Sequence, residues 1–362
     1  MLKNNAFCSI CTFNYLPYAA VLNESLRDAG HKEPHYLLVI DHSDKMRSYS
    51  KTYGFSPVFL KDLAIPNVDS LIQKYDAFEL CNVLKPYFFE WLLKTRPEIS
   101  ALIYLDCDIF VYSPFTKVFN YLADHKDTSL LISPHNFSAE DYVRETGYHL
   151  EKLFMSSGLY NGGFYTMKND QNTLRFLNWH KKKLRNYGYK APNVHMFVDQ
   201  KILDFAPVLF DFVGIYKDPS YNAGHWNYHK TGQKPVFFHF SQPKILARLA
   251  KSDSRLSKLL TNYDLKLKGK DLEKFGKINY GHLDRYQKPP LLKTDPIAYL
   301  HTEIALLNQE LTVIKSELTT TKRKLDAARS NRAWKVIVRI YQLFDLIKAS
   351  LRLTNSDKVS SS

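Results

Sequence analysis

Asp106 and Asp108 stand one residue apart at the tip of a strongly apolar segment, "LIYLDCDIFVY" over 102–112. A carboxylate beside buried strand residues is costly unless it is paired, hydrogen-bonded or bound to a cation. Side chains at i and i+2 of a strand share a side, and where the backbone turns both can reach one ion. Oxygen ligands of this kind suit Mn2+ or Mg2+, whose remaining positions are often filled by substrate phosphates. The chemistry to expect is binding of a divalent cation with a diphosphate. Asp-x-Asp alone arises readily by chance, and its bland reading is a solvated turn at a strand end.

Three further stretches carry polar groups at the edges of apolar runs. "PVFFHFSQ" puts His239 at the end of a strand, where imidazole can serve as third ligand beside two carboxylates. A lone histidine is otherwise a core or surface residue. "LYNGGFYTM" (159–167) sets Asn161 and two glycines before a strand, which lets backbone approach a ligand closely or is an ordinary loop. "FVDQKILDFAP" (197–207) places Asp199 and Gln200 at the start of an apolar helix, as an N-cap pair or as ligands for sugar hydroxyls.

The elements that must position these groups alternate in type. "AFCSICTF" (6–13) reads as a buried strand, "YAAVLNESLRDAG" (18–30) as a helix, "HYLLVID" (35–41) and "SPVFL" as strands. Residues 71–94 read as a helix broken at Pro86, followed by the strand ending in the aspartate pair. This order predicts an α/β fold with a mostly parallel sheet covered by helices on both faces, whose ligands bind beyond the carboxyl ends of the strands. Thr12 and Asp41 fall at such ends too. Short strands and a helix near 170–187 continue the domain to about residue 245.

At 362 residues and 45% hydrophobic, the chain can bury a large core with room for an appendage. Cys8, Cys11, Cys81 and Cys107 lack the spacing of a disulfide framework, which points to reduced, buried thiols. Neither a signal-peptide core nor a run of about 18 apolar residues occurs. The expected protein is cytoplasmic, soluble or peripheral. Residues 1–243 carry 26 Lys+Arg against 24 Asp+Glu, and residues 244–362 carry 24 against 12. An acidic partner would therefore meet the C-terminal third.

In that third, 246–296 reads as a helical connector and 297–330 as a coiled coil. Its seam is Ile297, Leu300, Ile304, Leu307, Leu311, Ile314, Leu318, Thr321, Leu325 and Ala328, spaced alternately by three and four. A single helix folded back on the domain is the alternative; the narrow stripe favours a homo-oligomer. Residues 331–353 read as a basic amphipathic helix suited to peripheral membrane contact, and 354–362 as a disordered tail.

"CTFNYLPYAAVLNESL", "ELCNVLKPYFFEWLL", "IYLDCDIFVYSP", "YNGGFYTM", "VDQKILDFAP", "YNAGHWNYH" and "FFHFS" follow one another over 6–243. In that order they resemble bacterial nucleotide-sugar glycosyltransferases of the GT-A fold, akin to glycogenin and lipopolysaccharide galactosyltransferases. The resemblance implies a metal site at Asp106, Asp108 and His239. It implies base contacts from Thr12 and Tyr15, and a lysine reaching the donor at Lys85. It further implies residues around the donor sugar and reacting centre at Asn161, Asp199 and Gln200. The reaction implied is transfer from a nucleotide-sugar donor, UDP-linked foremost, to a glycan or lipid-linked acceptor in surface polysaccharide synthesis. Two positions depart from the family: Gln242 stands where glycine is usual after "HFS", and "YNAGHWN" carries Gly224 and His225 where small and aromatic residues are commoner. The ending "ARSNRAWKVIVRIYQL" also resembles helices appended to bacterial polysaccharide transferases.

A haloacid dehalogenase-type phosphatase also ends a strand in Asp-x-Asp, but that motif begins near the chain start and continues with Gly-Thr. A non-catalytic coiled-coil protein is the other alternative. Nucleic-acid binding is not expected, because the positive charge follows a heptad helix without a recognition module.

Overall fold

The computed structural model describes residues 4–41, 49, 52–135, 150–230 and 235–270. Beyond these it describes 304, 308, 311, 312, 314–324, 326, 327, 336, 339, 340 and 343. The chain forms two compact units, Met1–Lys293 and Thr294–Ser362.

The first unit is built on a seven-stranded, mostly parallel sheet. Its strands are β1 (Asn5–Cys11), β2 (His35–Val39), β3 (Ser56–Phe59), β4 (Ala101–Leu105), β6 (Leu130–Pro134), β7 (Tyr160–Lys168) and β10 (Val213–Ile215). Their spatial order is β10-β6-β7-β4-β1-β2-β3. Neighbours pair in parallel except at β7, which runs antiparallel to both β4 and β6. A three-stranded sheet sits beside it: β5 (Ile109–Val111), β11 (Ala223–Gly224) and β12 (Phe237–His239), with β12 in the centre. The short strands β8 (Lys190–Ala191) and β9 (Met196–Phe197) pair only with each other.

Alternation along β4 explains why both faces are covered. Ala101, Ile103 and Leu105 join a core cluster with Leu22 and Leu26 of helix α1 (Leu16–Asp28) and with Val118 and Leu122 of α4 (Thr116–Asp124). Tyr104 points to the opposite face. There its ring packs 5.2 Å from Phe89 and 5.9 Å from Tyr165.

The helix expected over 71–94 is two helices, α2 (Val68–Lys74) and α3 (Ala77–Thr95), and the break does not fall at Pro86. Asp76 caps α3, its side chain accepting from Glu79 N at 2.8 Å while Glu79 returns a bond to Asp76 N at 3.0 Å. Such a reciprocal cap sets the start of the helix. Pro86 lies inside α3, where a proline costs about 3 kcal/mol. Burial of Val83, Leu84, Phe88, Phe89, Leu92 and Leu93 offsets that cost at about 1.5–3 kcal/mol each. The helix expected near 170–187 is α6 (Gln171–Tyr187), which follows α5 (Leu150–Ser157).

The first unit also runs past the boundary expected at 245. Helices α9 (Pro243–Leu249) and α10 (Ser254–Lys268) contribute Leu246, Leu249, Leu256, Tyr263 and Leu267 to a core cluster with Val21, Phe238 and Phe240. Tyr263 stacks on Phe240 with ring centroids 3.9 Å apart. The two helices roof the small sheet, so they are part of the domain and not a connector leading out of it.

In the second unit the described residues over 314–324 are helical, and Ile304, Leu311, Ile314 and Leu318 of the expected seam are about half exposed. Ile297, Leu300, Leu307, Leu325 and Ala328 lie outside the described residues, as do most of 331–353 and all of the tail. Among the described residues, no helix is long and apolar enough to cross a membrane.

Candidate functional site

At the carboxyl edge of β4 the chain makes a tight turn in which Asp106 and Asp108 face outward and Cys107 faces inward. Ile109 N donates to Asp106 O at 3.2 Å, and the buried Cys107 thiol donates to Ile10 O at 3.6 Å. Cys107 thus anchors the turn to β1, and the carboxylates stay partly exposed at 31% and 25%. The next strand, β5, pairs with β12 so that Ile109 faces His239, and Phe240 N donates to Asp108 O at 2.8 Å. Residues more than 130 positions apart in sequence thereby meet.

His239 Nε2 lies 2.9 Å from Asp108 Oδ1 and 3.7 Å from Asp106 Oδ2. Burial alone would lower the His239 pKa, but its ion pair with Asp108 and the nearby Asp106 outweigh it, and the imidazole titrates above its ordinary range. Burial likewise opposes charge on Asp108, and His239 reverses that, holding the carboxyl below its usual value.

The ligating atoms of Asp106, Asp108 and His239 all lie within 4.8 Å of one another. Two carboxylates and an imidazole are a donor set that fits a divalent cation. Gly163 makes room for them: a Cβ there would lie 2.5 Å from His239 Cε1 and 2.8 Å from Asp106 Oδ2.

Deeper in the same cleft, Lys85 of α3 is buried. Its ammonium donates to Gly162 O at 2.7 Å and to Asp199 Oδ2 at 2.9 Å, and lies 3.8 Å from Asp106 Oδ1. A buried lysine is tolerated when paired and hydrogen-bonded in this way. Asp199 comes from the short helix α7 (Val198–Ile202), which leads through a single turn into α8 (Ala206–Leu209). It is not the N-cap; that position is Phe197, and Asp199 turns inward. Val198, the preceding residue, has φ +43°, a left-handed conformation that costs a β-branched residue about 1–3 kcal/mol. Asp199 Oδ1 is buried with no hydrogen-bond partner among the described residues.

Asn161 is held on both sides. Its Oδ1 accepts from Gly163 N at 2.6 Å and its amide donates to His135 Nε2 at 3.2 Å. His135 Nδ1 lies 3.2 Å from Leu159 O, an acceptor, so Nδ1 carries the proton. Burial lowers the His135 pKa to about 4, which keeps the ring neutral. Gln200 bridges Gly162 N (3.3 Å) and Ser157 O (2.8 Å).

Together these residues line a cleft of about 650 Å³, whose walls also include Phe78, Lys190, Trp226, Gln242 and Arg248. The structure brings Lys85, Asp106, Asp108, Asn161, Asp199, Gln200 and His239 into one cleft and leaves Thr12 and Tyr15 outside its lining. Thr12 Oγ1 donates to Asn14 Oδ1 at 2.5 Å, and the half-exposed Tyr15 stacks on Tyr18 at 4.9 Å. Gln242 adopts φ +57° ahead of α9, a conformation natural for glycine.

Sequence reasoning missed Tyr104, Tyr165, His135 and Arg248. Only Tyr104 carries a local signal, as the i−2 neighbour of Asp106 on the same strand face. The two glycines are expected from the sequence to admit a ligand. In the structure Gly162 and Gly163 make room for protein side chains, since a Cβ on Gly162 would lie 2.9 Å from both Asp199 oxygens.

No protein-family model matches the chain. It is 27% identical over 259 residues to the uncharacterized protein YfnF of Bacillus subtilis (strain 168), spanning 67% of this chain and 83% of that one. Among solved structures it is similar to the galactosyltransferase LgtC in complex with donor and acceptor sugar analogs. That match has 16% identity and TM-score 0.45 over 66% of this chain and 87% of the other. It is also similar to mouse xyloside xylosyltransferase 1, with 12% identity and TM-score 0.41 over 66% and 98%. A third is the glycosyltransferase GlyE of Streptococcus pneumoniae TIGR4, with 15% identity and TM-score 0.44 over 77% and 63%.

Proposed function

We propose that the chain is a metal-dependent glycosyltransferase of the GT-A type that moves a sugar from a nucleotide diphosphate sugar, UDP-linked foremost, to a glycan or lipid-linked acceptor in surface polysaccharide synthesis. One observation carries the reading. Asp106, Asp108 and the distant His239 converge at the mouth of a cleft, and a third carboxylate, Asp199, lies deeper in the same cleft against Lys85. A divalent cation held there would supply Lewis-acid stabilisation to a leaving diphosphate.

The chain's own residues do the rest. Lys85 fixes Asp199 and the Gly162 backbone. Asp199 Oδ1 is the acceptor left for a sugar hydroxyl near the anomeric centre. Asn161 and Gln200, whose polar atoms are engaged with protein, shape the wall instead of reaching the donor. Thr12 and Tyr15, at the end of the strand beside β4, take the base. In the second unit, the half-exposed Ile304, Leu311, Ile314 and Leu318 form a seam that pairs with a second copy. The basic segment over 331–353, amphipathic when read as a helix from its sequence, attaches the assembly to the inner face of the membrane.

Hydrolysis of a panel of UDP- and GDP-sugars with and without Mn2+ tests the activity. Metal-dependent release of nucleoside diphosphate, lost in Asp106→Ala, is the expected result. Release of orthophosphate from a phosphomonoester instead would indicate the phosphatase reading. Leu311→Asp with Leu318→Asp is expected to give a monomer in sedimentation, and an unchanged mass rejects the seam.

A further inference from the structure

Two tyrosines sit beneath the cleft as a cross-strand pair. In the antiparallel register of β4 and β7, Tyr104 lies opposite Tyr165, and both rings are fully buried. Their hydroxyls go to different carboxylates. Tyr104 donates to Asp106 Oδ1 at 2.6 Å, and Tyr165 donates to Asp199 Oδ2 at 2.5 Å. Lys85 Nζ lies over the pair, 4.8 Å from the Tyr104 ring centroid and 5.7 Å from that of Tyr165, and faces the same two carboxylates.

Asp106 thereby divides its oxygens. Oδ1 is occupied by Tyr104 and faces Lys85, while Oδ2 is the oxygen turned toward His239 Nε2. A carboxylate free to rotate about its terminal bond offers either oxygen, or both, to an ion. Short O–H···O⁻ bonds such as this one are the stronger kind and fix orientation. We infer that Tyr104 is a positioning residue that commits Asp106 to meet the cation through Oδ2 alone, and that its twin Tyr165 holds Asp199 and takes no part in cation binding. This assignment rests on the metal site of the proposed function and adds to it how one ligand is aimed.

Phenylalanine at either position keeps the ring and its contact with Lys85 and removes only the hydroxyl. The full-length chain is titrated with Mn2+ alone, free ion being followed by electron paramagnetic resonance. Tyr104→Phe is expected to weaken Mn2+ binding about tenfold, the usual scale for losing a partner that orients a metal ligand. Tyr165→Phe is expected to leave it within about twofold while lowering kcat for donor hydrolysis at saturating Mn2+. In an Asp106→Ala background, Tyr104→Phe should weaken binding no further, because the hydroxyl then has no ligand to aim. Each single variant loses one buried hydroxyl, so a general loss of packing would move both alike. Equal weakening by the two variants, or wild-type affinity in Tyr104→Phe, overturns the assignment. A wild-type chain that binds no Mn2+ overturns the metal site itself, which is a separate and recognisable result.

Discussion

The two acidic centres of the cleft are built on opposite plans. Asp106 and Asp108 stand on a turn with a quarter to a third of each side chain exposed, balanced by an imidazole and, for Asp106, by Lys85 at 3.8 Å. Asp199 and Lys85 are 1% exposed, and the lysine is further tied to a backbone carbonyl and the aspartate to a tyrosine. An open cluster of like charges can be completed from outside. A closed pair is completed from within at all but Asp199 Oδ1 and sets the shape against which the open one works. Substitutions should therefore affect stability on one side and chemistry on the other.

The largest effect is expected from Lys85→Met, which leaves Asp199 buried without its counter-charge. About 3–5 kcal/mol of folding stability should be lost, read from the urea midpoint at unchanged slope. Asp108→Asn, on the open side, weakens the partner of the buried His239 and should cost less than Lys85→Met, about 1–3 kcal/mol, yet abolish metal-dependent turnover. If the two variants destabilise alike, the contrast fails. Gly163→Ala attacks the boundary between the centres. Its Cβ would meet His239 at 2.5 Å, and about 1–3 kcal/mol of stability should go together with Mn2+ binding.

Acid should probe both sides through buried histidines. His135 lines the cleft, while His180 lies behind Tyr165 with neither ring nitrogen bonded among the described residues. Burial lowers both pKa values to about 4. Since the unfolded value is about 6.5, each contributes stability that is complete above pH 6.5 and is lost as pH falls toward 4. Melting temperature should fall below pH 6. His180→Phe should make that fall shallower without changing activity at pH 7.5. The smallest effect is expected at the rim. Gln242→Gly relieves left-handed strain of about 1–2 kcal/mol but frees the unfolded chain, for a net gain of roughly 0.5–1 kcal/mol.

The open centre is legible in the sequence because its signal is local: an apolar run that stops at a charge. Asp106, Asp108 and His239 each end such a run, and the parallel sheet that gathers strand ends follows from the alternation of elements. The closed centre is not legible in the same way. Tyr165 reads as an ordinary strand aromatic, and Tyr104 offers only its place two residues before Asp106, until the register sets them opposite each other; no local pattern reports a register formed across more than 60 residues. His135 is of the same kind, since its role is defined by Asn161. Proline is the loudest local signal in 71–94 and misplaces the helix break, whereas the Asp76–Glu79 cap sets the boundary and burial along α3 carries the helix through Pro86. Lys85, expected at the donor, bonds to the Gly162 carbonyl and Asp199, and nothing in "LKP" reports those partners.

The strand that runs against both its neighbours admits almost no error in alignment. Slide β7 by a single residue along β4 and Tyr104 would face Phe164 or Thr166, while Gly162 and Gly163 would no longer stand beside Asp199 and His239. Such a slip would remove a hydroxyl, a lysine acceptor and two clearances in one step. Alignment of this hairpinless pair therefore sets the site's geometry, and insertions should be tolerated in the loops at either end long before one is tolerated between residues 160 and 168.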